Sequence, residues 1–295
     1  MKMITPTKIT DAMLTSSTVP ETDHAAWVAG TTYALGAYCL LTSTHRIYKS
    51  LQAGNTGHSP DESASTWWLD VGPTNRWACF DNIVSTQTSG GTSMTVVLAP
   101  GAINALALIN IAATELIVTM TSGATTVYSQ TMGLIAPLKM ADWYGYFFEP
   151  ISRKSDVVLL DLPTYANCVI TITLTDPSEV LVGNLIVGIS ATLGLTHAGP
   201  KIGITDYSRK ETDEFGSTIL TQRSYSKYMS VSMMLDSSAV DGVAAALSAV
   251  RATPIVWIAS EKHSSLVVFG WAGDFEIDLA TRYYSHCSLQ IKGLI

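Results

Sequence analysis

The chain has 295 residues, of which 47% are hydrophobic and only 14% charged, and its formal net charge is −7. That balance excludes a disordered chain and leaves room for a large core, with burial against partner chains expected on top of it. The basic residues are scattered and form no stripe, so nucleic acid is not an expected partner.

The first 22 residues are rich in Thr and hold isolated Ile, Leu and Val, which reads as an extended arm or an edge strand, ordered only against something else. They contain no apolar core of the kind a secretory signal needs, so none is expected. Alternating Ile4, Thr5, Ile9 and Thr10 give this arm the pattern of a strand that can be added to a neighbour's sheet edge. Residues 23–75 concentrate Trp27, Tyr33, Tyr38, Tyr48, Trp67 and Trp68, with glycines at 30, 36, 54, 57 and 72 marking turns. Aromatic rings each bury about 150–250 Å², enough to give so small a segment a core. A three-stranded β module is expected here.

From residue 76 to 192 the segments become short and β-rich. Strands are expected over 94–98, 105–111, 116–120, 126–131, 156–162, 169–175 and 183–189, with a hairpin turn at 121–124. The clearest is 169–175, where Ile170, Ile172 and Leu174 alternate with Thr171, Thr173 and Thr175. Strands so spaced imply a β-sandwich of jelly-roll character. Residues 98–120 are the most apolar stretch, but Pro100, Gly101, Asn104, Asn110 and Glu115 interrupt them, so no membrane span is expected.

Residues 193–222 hold Gly194, Gly199, Pro200, Gly203 and Gly216 and read as a long connection. Residues 223–295 read as a small α+β domain. Strands are expected over 231–235, 255–259, 266–271 and 288–294, the last of them near a sheet edge. One helix is expected over 238–251, started by a Ser238–Asp241 capping pair and ended by Pro254. The fold class is thus mainly β: an aromatic module, a sandwich, then an α+β unit. With a Gly-Pro exit at 72–73, residues 76–295 are expected to fold without the first 73.

No nucleophile elbow, metalloprotease helix, phosphate loop or dinucleotide fingerprint is present, and the six His are unpaired at metal-ligand spacing. Cys39, Cys79, Cys168 and Cys287 are far apart, which excludes a zinc ribbon and implies buried free thiols. Asp206, Asp213 and Glu214 crowd one segment, yet Arg209, Lys210 and Glu211 lie among them, which reads as a solvated, self-paired loop. Asp274, Glu276 and Asp278 alternate with Phe275, Ile277 and Leu279, the pattern of a strand with one exposed acidic face. No catalytic residue, metal or cofactor is expected, and the chain does not read as an enzyme.

Trp27, Tyr33, Gly36, Tyr48, Gly57, Pro60, Trp68 and Gly72 stand in a pattern that resembles the chitin-binding type 3 module, or carbohydrate-binding family 5/12. The resemblance covers about 50 residues, a sixth of the chain. Sugar-binding members carry an aromatic platform where this chain has Lys49, Ser50, Leu51 and Gln52, which offer no flat π-face. Tyr33, Tyr48 and Trp68 are therefore expected mainly in the module's core. Trp67 is expected on the other side of the strand, as the best contact for a glycan or a partner beside Tyr33, Tyr48 and Trp27.

The module runs into DVGPTNRWACFDN at 70–82, an arrangement similar to one that recurs in bacteriophage tail and virion proteins. Trp77 and Phe80 are expected to anchor the following sandwich, and Asn75, Arg76 and Trp77 to form the module junction. The resemblance implies a structural protein of the phage tail, at the baseplate or fibre attachment, bridging tail core and appendages. Its implied partners are other tail proteins and further copies of itself, three or six around the tail. Its implied location is the virion, and the host cytoplasm during assembly. A receptor-binding tail protein that holds host surface glycans is the alternative. A glycan-cleaving tail enzyme stands third, since it needs two convergent carboxylates.

Overall fold

The computed structural model describes residues 1–62, 66–135, 153–197, 199–261, 263–279 and 281–295. The chain is mainly β, with one α-helix among the described residues. The first strand, β1 (Lys2–Pro6), is not a free arm. It pairs antiparallel with residues 188–192 on one side and 256–258 on the other, and Met1, Met3 and Ile4 are buried. Both of its edges are used within the chain, so it is not the strand that a neighbour's sheet would take up. The sequence reading gives this segment a strand's pattern but not its partners, because pairing with residues 188–192 and 256–258 leaves no local signal. Removing the first 73 residues takes this strand out of the middle of the sheet, which corrects the expectation that 76–295 fold alone.

β2 (Leu14–Ser17) leads to the aromatic module, built from β3 (Tyr38–Leu41), β4 (Arg46–Ser50) and β5 (Trp68–Pro73) in that order. Its core is Cys39, Tyr48 and Trp68, with Trp27, Tyr33, Leu41 and Trp67 packed around them.

The sandwich follows: β6 (Thr88–Ser89), β7 (Ser93–Leu98), β8 (Ala105–Ala112), β9 (Glu115–Ser122), β10 (Thr125–Gly133), β11 (Val157–Leu159), β12 (Cys168–Thr175) and β13 (Leu181–Thr192). The hairpin between β9 and β10 turns at Gly123, whose φ of +60° suits glycine. One sheet has the order β10-β9-β12-β7-β2. Its inward residues, among them Val96, Leu116, Val118, Ile170 and Ile172, meet Leu106, Leu108, Val182 and Val187 of a second, larger sheet.

That larger sheet runs on into the C-terminal part, made of β14 (Leu195–Thr196), β15 (Lys201–Asp206), β16 (Arg209–Thr212), β17 (Thr218–Thr221), β18 (Tyr225–Asp236), α1 (Val240–Ala249), β19 (Ile255–Ile258), β20 (Val267–Asp278) and β21 (Tyr284–Gly293). Its order is β11-β8-β13-β1-β19-β20-β21-β18-β14, with β15 also on β18 and β6 on β13. β1 is thus the strand at which sandwich and C-terminal strands become one sheet. α1 packs Val243 and Leu247 onto the β18, β20 and β21 side chains Val231, Met233, Val268, Cys287 and Leu289. The other face of the sheet buries Ile4, Ala107, Ile109, Ile186, Val256 and Phe269, and the sheet curls into a half-barrel about them.

Three local expectations are corrected. Residues 193–222 hold the strands β14 to β17 rather than a bare connection, since Gly203 sits inside β15, where a Cβ would strike the Tyr228 ring, and does not break the strand. Ser238 does not cap α1, because a 3-10 turn over Ser237–Ala239 absorbs it. β21 lies between β20 and β18 rather than at an edge. Among the described residues no helix is long and apolar enough to cross a membrane.

Candidate functional site

The aromatic module shows which of its rings are available. Tyr48 and Trp68 are buried, Tyr33 meets Trp68 edge-on at 5.0 Å, and Trp68 donates Nε1–H to the His58 carbonyl at 2.9 Å. Tyr33 also receives the Val28 N–H on its hydroxyl at 2.9 Å. Trp27 and Trp67 are half-buried against this core. Trp67 does not stand free on the opposite side. The His58 ring stacks on it at 4.1 Å and 11°, which covers one face of the indole. The exposed aromatic the sequence reading passed over is Tyr38, stacked on His24 at 5.1 Å and with the Lys49 ammonium 5.5 Å from its ring centre. Leu51, at the platform position, is exposed and aliphatic.

The module junction is a dense polar lock. Asn75 exchanges two bonds with Ser89, its Nδ2 donating at 2.9 Å and its Oδ1 accepting the Ser89 N–H at 2.8 Å. The Asn75 N–H reaches the Asp23 carboxylate at 3.2 Å, and Arg76 Nε donates to the Val19 carbonyl at 2.7 Å. Trp77 stacks on His45 at 4.2 Å and meets Phe80 edge-on at 5.6 Å. His45 bonds Glu21 at 2.9 Å, and the fully buried Thr74 hydroxyl donates to the same carboxylate at 3.0 Å. His45 itself has a φ of +55°, a strained backbone held by these contacts. Asn75, Arg76 and Trp77 are thus brought together, as expected, and the sequence reading missed Glu21, His45 and Thr74. Beneath them Cys79 is fully buried, and burial pushes its thiol up to about 12.

The half-barrel holds a cavity of about 240 Å³, lined by Val84, Asn110, Asp156, Lys227, Phe269 and Leu294 among others. The Lys227 ammonium pairs with Asp156, whose other oxygen accepts the Asn110 N–H at 3.0 Å. The two charges satisfy each other, and the remaining wall is largely apolar.

No family model and no curated protein matches the chain. Its surface chemistry is the more informative part. Apolar side chains gather outside the core along residues 195–228: Phe215 is 92% exposed, Leu220 69% and Ile204 59%, with Ile202, Ile219 and Tyr225 beside them. They sit on β15, at the start of β18 and on the β16–β17 ribbon, and every residue of the ribbon is exposed. The carboxylates of this segment are engaged locally. Asp213 accepts the N–H groups of Phe215 and Ser217 at 3.0 and 2.7 Å and so shapes the ribbon's turn. Asp206 accepts the Ser208 N–H at 2.9 Å and lies 3.4 Å from Lys210. Bonds to Ser208 hold the Asp206 carboxyl below the ordinary carboxylate range. Asp274, Glu276 and Asp278 form the exposed acidic stripe the sequence implies, with Ile277 turned towards the core. Among the described residues no group of three or more His, Cys, Asp or Glu is placed to hold a metal.

Proposed function

We propose that this chain is a structural component of a bacteriophage tail, at the baseplate or fibre attachment, that bridges tail core and appendages. The observation carrying this reading is the ribbon and edge at 195–228, where large apolar side chains stand in solvent on strands that have no core of their own. Exposed apolar surface of this kind marks a protein interface. The segment that resembles phage tail proteins, 70–82, supports the same reading. Its Asn75, Arg76 and Trp77 hold the small module rigidly on the sandwich, as a spacer between partners requires. The glycan-holding alternative has less to stand on, since Trp67 is capped by His58 and Leu51 replaces the stacking ring.

The test is complementation of a phage lacking this chain with a variant whose residues 208–223 are replaced by a short Gly-Ser turn. Particles that lack the variant, or fail to assemble a complete tail, are the expected result. Complete particles that carry the variant and lose only adsorption would favour the receptor-binding reading instead.

A further inference from the structure

We propose that copies of this chain assemble head to tail, the β15 edge of one copy pairing with an open stretch of β20 in the next. The inference goes beyond the tail reading and does not need it.

The C-terminal strands run β20-β21-β18-β15 across one sheet, and both outer margins of this group are incomplete. β19 covers β20 only over Val267, Val268, Phe269 and Gly270. Residues 271–278 have no strand on that side among the described residues. At the opposite margin β15 is paired with β18, and its outer edge is unpaired among the described residues. An edge of this kind is a ready template for another chain unless Pro, charge or a bulge blunts it. The middle of β15 is Ile-Gly-Ile-Thr, which blunts nothing.

The strand directions agree with such a junction. Each of the three pairings between β20, β21, β18 and β15 is antiparallel, so β15 runs opposite to β20. Translating a copy alongside then sets β15 antiparallel to the incoming β20, with Phe275–Asp278 beyond the bulge at Ala272–Phe275 as the stretch that can take up the ladder. The charges agree as well. Lys201 begins β15 and Arg223 follows the ribbon, whereas Asp274, Glu276 and Asp278 line the open stretch of β20. None of these five has an ion partner within 4.0 Å among the described residues. Each margin also carries matching apolar groups, Ile202 and Ile204 on one and Phe275 and Leu279 on the other.

The occupant is a second copy and not the same chain folding back. The two margins lie on opposite sides of a four-strand sheet, about 14 Å apart at 4.8 Å per strand spacing. A contact between different patches of identical chains is heterologous, and it closes into a ring or extends as a filament. The β16–β17 ribbon fits this arrangement. An isolated two-stranded hairpin is marginal in water, and this one projects from the end of β15, where it reaches over the adjoining copy. A strand pair alone falls short of the roughly 1,000 Å² a stable interface needs, and the ribbon's Phe215, Ile219 and Leu220 supply further apolar area. The face opposite α1, with Ser232, Ser288 and Gln290 exposed, stays polar and open, so lateral growth buries no unpaired polar wall.

Two experiments on the purified full chain test this. In native mass spectrometry the expected species are trimers or larger. Ile202→Lys with Ile204→Lys, in a chain whose residues 208–223 are replaced by a Gly-Ser turn, is expected to remove every species above monomer while its melting temperature is retained. Oxidation of an Ile202→Cys/Phe275→Cys double variant is expected to give a covalent ladder of copies, whereas each single variant has no thiol opposite its own at the junction and is expected to give none. The two sites are too far apart in one copy for an internal bridge. A wild-type chain that is only monomer or only dimer, a double variant without a ladder, or Lys variants that still assemble would each overturn the proposal.

Discussion

Asp156 and Lys227, 71 residues apart, form an ion pair between the first and the eighth strands of one curled sheet. Asp156 precedes β11 and its side chain is 2% exposed, while Lys227 lies near the start of β18 and is a third exposed. The pair clasps the open ends of the half-barrel over the cavity. Removing one partner of a buried pair costs about 3–5 kcal/mol because the other charge is left uncompensated. Lys227→Ala is expected at or below the low end of that range, about 2–3 kcal/mol, because water reaches the ammonium. Asp156→Leu with Lys227→Met is expected to cost less than Lys227→Ala alone. Urea unfolding of the three variants checks the order, and a double variant worse than the single one would show that the clasp does not act as a pair.

β1 supports a second prediction. Gly188 pairs with Pro6, and a Cβ placed on it would lie 2.0 Å from the Thr5 carbonyl oxygen. Gly188→Ala must therefore push β1 away from β13, at a cost of about 3 kcal/mol, the upper range for overpacking. Ile4 is fully buried on the same strand, and Ile4→Ala is expected to cost about 2–5 kcal/mol. Thermal melting of both variants measures this. Deleting residues 2–6 is expected to abolish the cooperative transition, because β13 and β19 are left facing each other without their shared partner.

How much of this was legible in the sequence follows from where the information lies. β12 was legible because Ile170, Ile172 and Leu174 alternate with Thr, and the strand buries alternate residues as that pattern requires. α1 was legible from its spacing, with Pro254 beyond its end. For β1 a strand pattern was legible but its place inside the sheet was not, since Met3 and Ile4 are adjacent and both buried, one on each face. β15 was hidden by Gly203, which resembles a breaker but admits the Tyr228 ring at close range. At the junction, Asn75, Arg76 and Trp77 were found by resemblance, while Glu21 and His45 had no local signal. Their bond spans 24 residues and depends on a left-handed backbone at a non-glycine position.

His45 therefore gives a test of the junction. Replacing His45 with Ala removes the Trp77 stack and the Glu21 bond together. The module is expected to loosen on the sandwich while the sandwich core stays intact. Limited proteolysis near residues 73–76 should speed up, with the main melting transition changed by no more than about 1 kcal/mol, since neither lost contact lies in the core of the larger sheet. A large fall in the main transition would mean that the junction stabilises the whole molecule.

The module's rings lead to a prediction about sugars. With His58 covering Trp67 and an aliphatic Leu51 at the platform position, the full chain is expected to show no saturable retention on chitin beads. Each stacked ring contributes about 1–3 kcal/mol by analogy with base stacking, so the loss of two leaves binding weaker than millimolar. Retention that disappears in Trp67→Ala would contradict this and restore a glycan role to the module.

The last prediction concerns alkaline pH. Burial raises the Cys79 thiol from 9.0 to about 12 and the Cys39 thiol to about 11, and it raises Cys168 and Cys287 in the same direction. In the unfolded chain these thiols ionise near 9.0, whereas the folded chain holds them protonated. Their contribution to stability is therefore complete below pH 9 and is lost as the pH rises from there towards 12, because only the unfolded state can release the protons. Stability measured by urea unfolding is expected to be flat from neutral pH to about 9 as far as the thiols are concerned, then to fall. Cys79→Ala is expected to flatten that fall, at the expense of a small cavity beside Thr88, whose hydroxyl accepts the residue 79 N–H at 2.9 Å in either case. In the native state at neutral pH, a thiol reagent should label none of the four cysteines at an appreciable rate, since all are buried and none is a thiolate. Rapid labelling of Cys79 in the native protein, or a Cys79→Ala variant with an unchanged alkaline profile, would show that the thiol is not sealed beneath the junction.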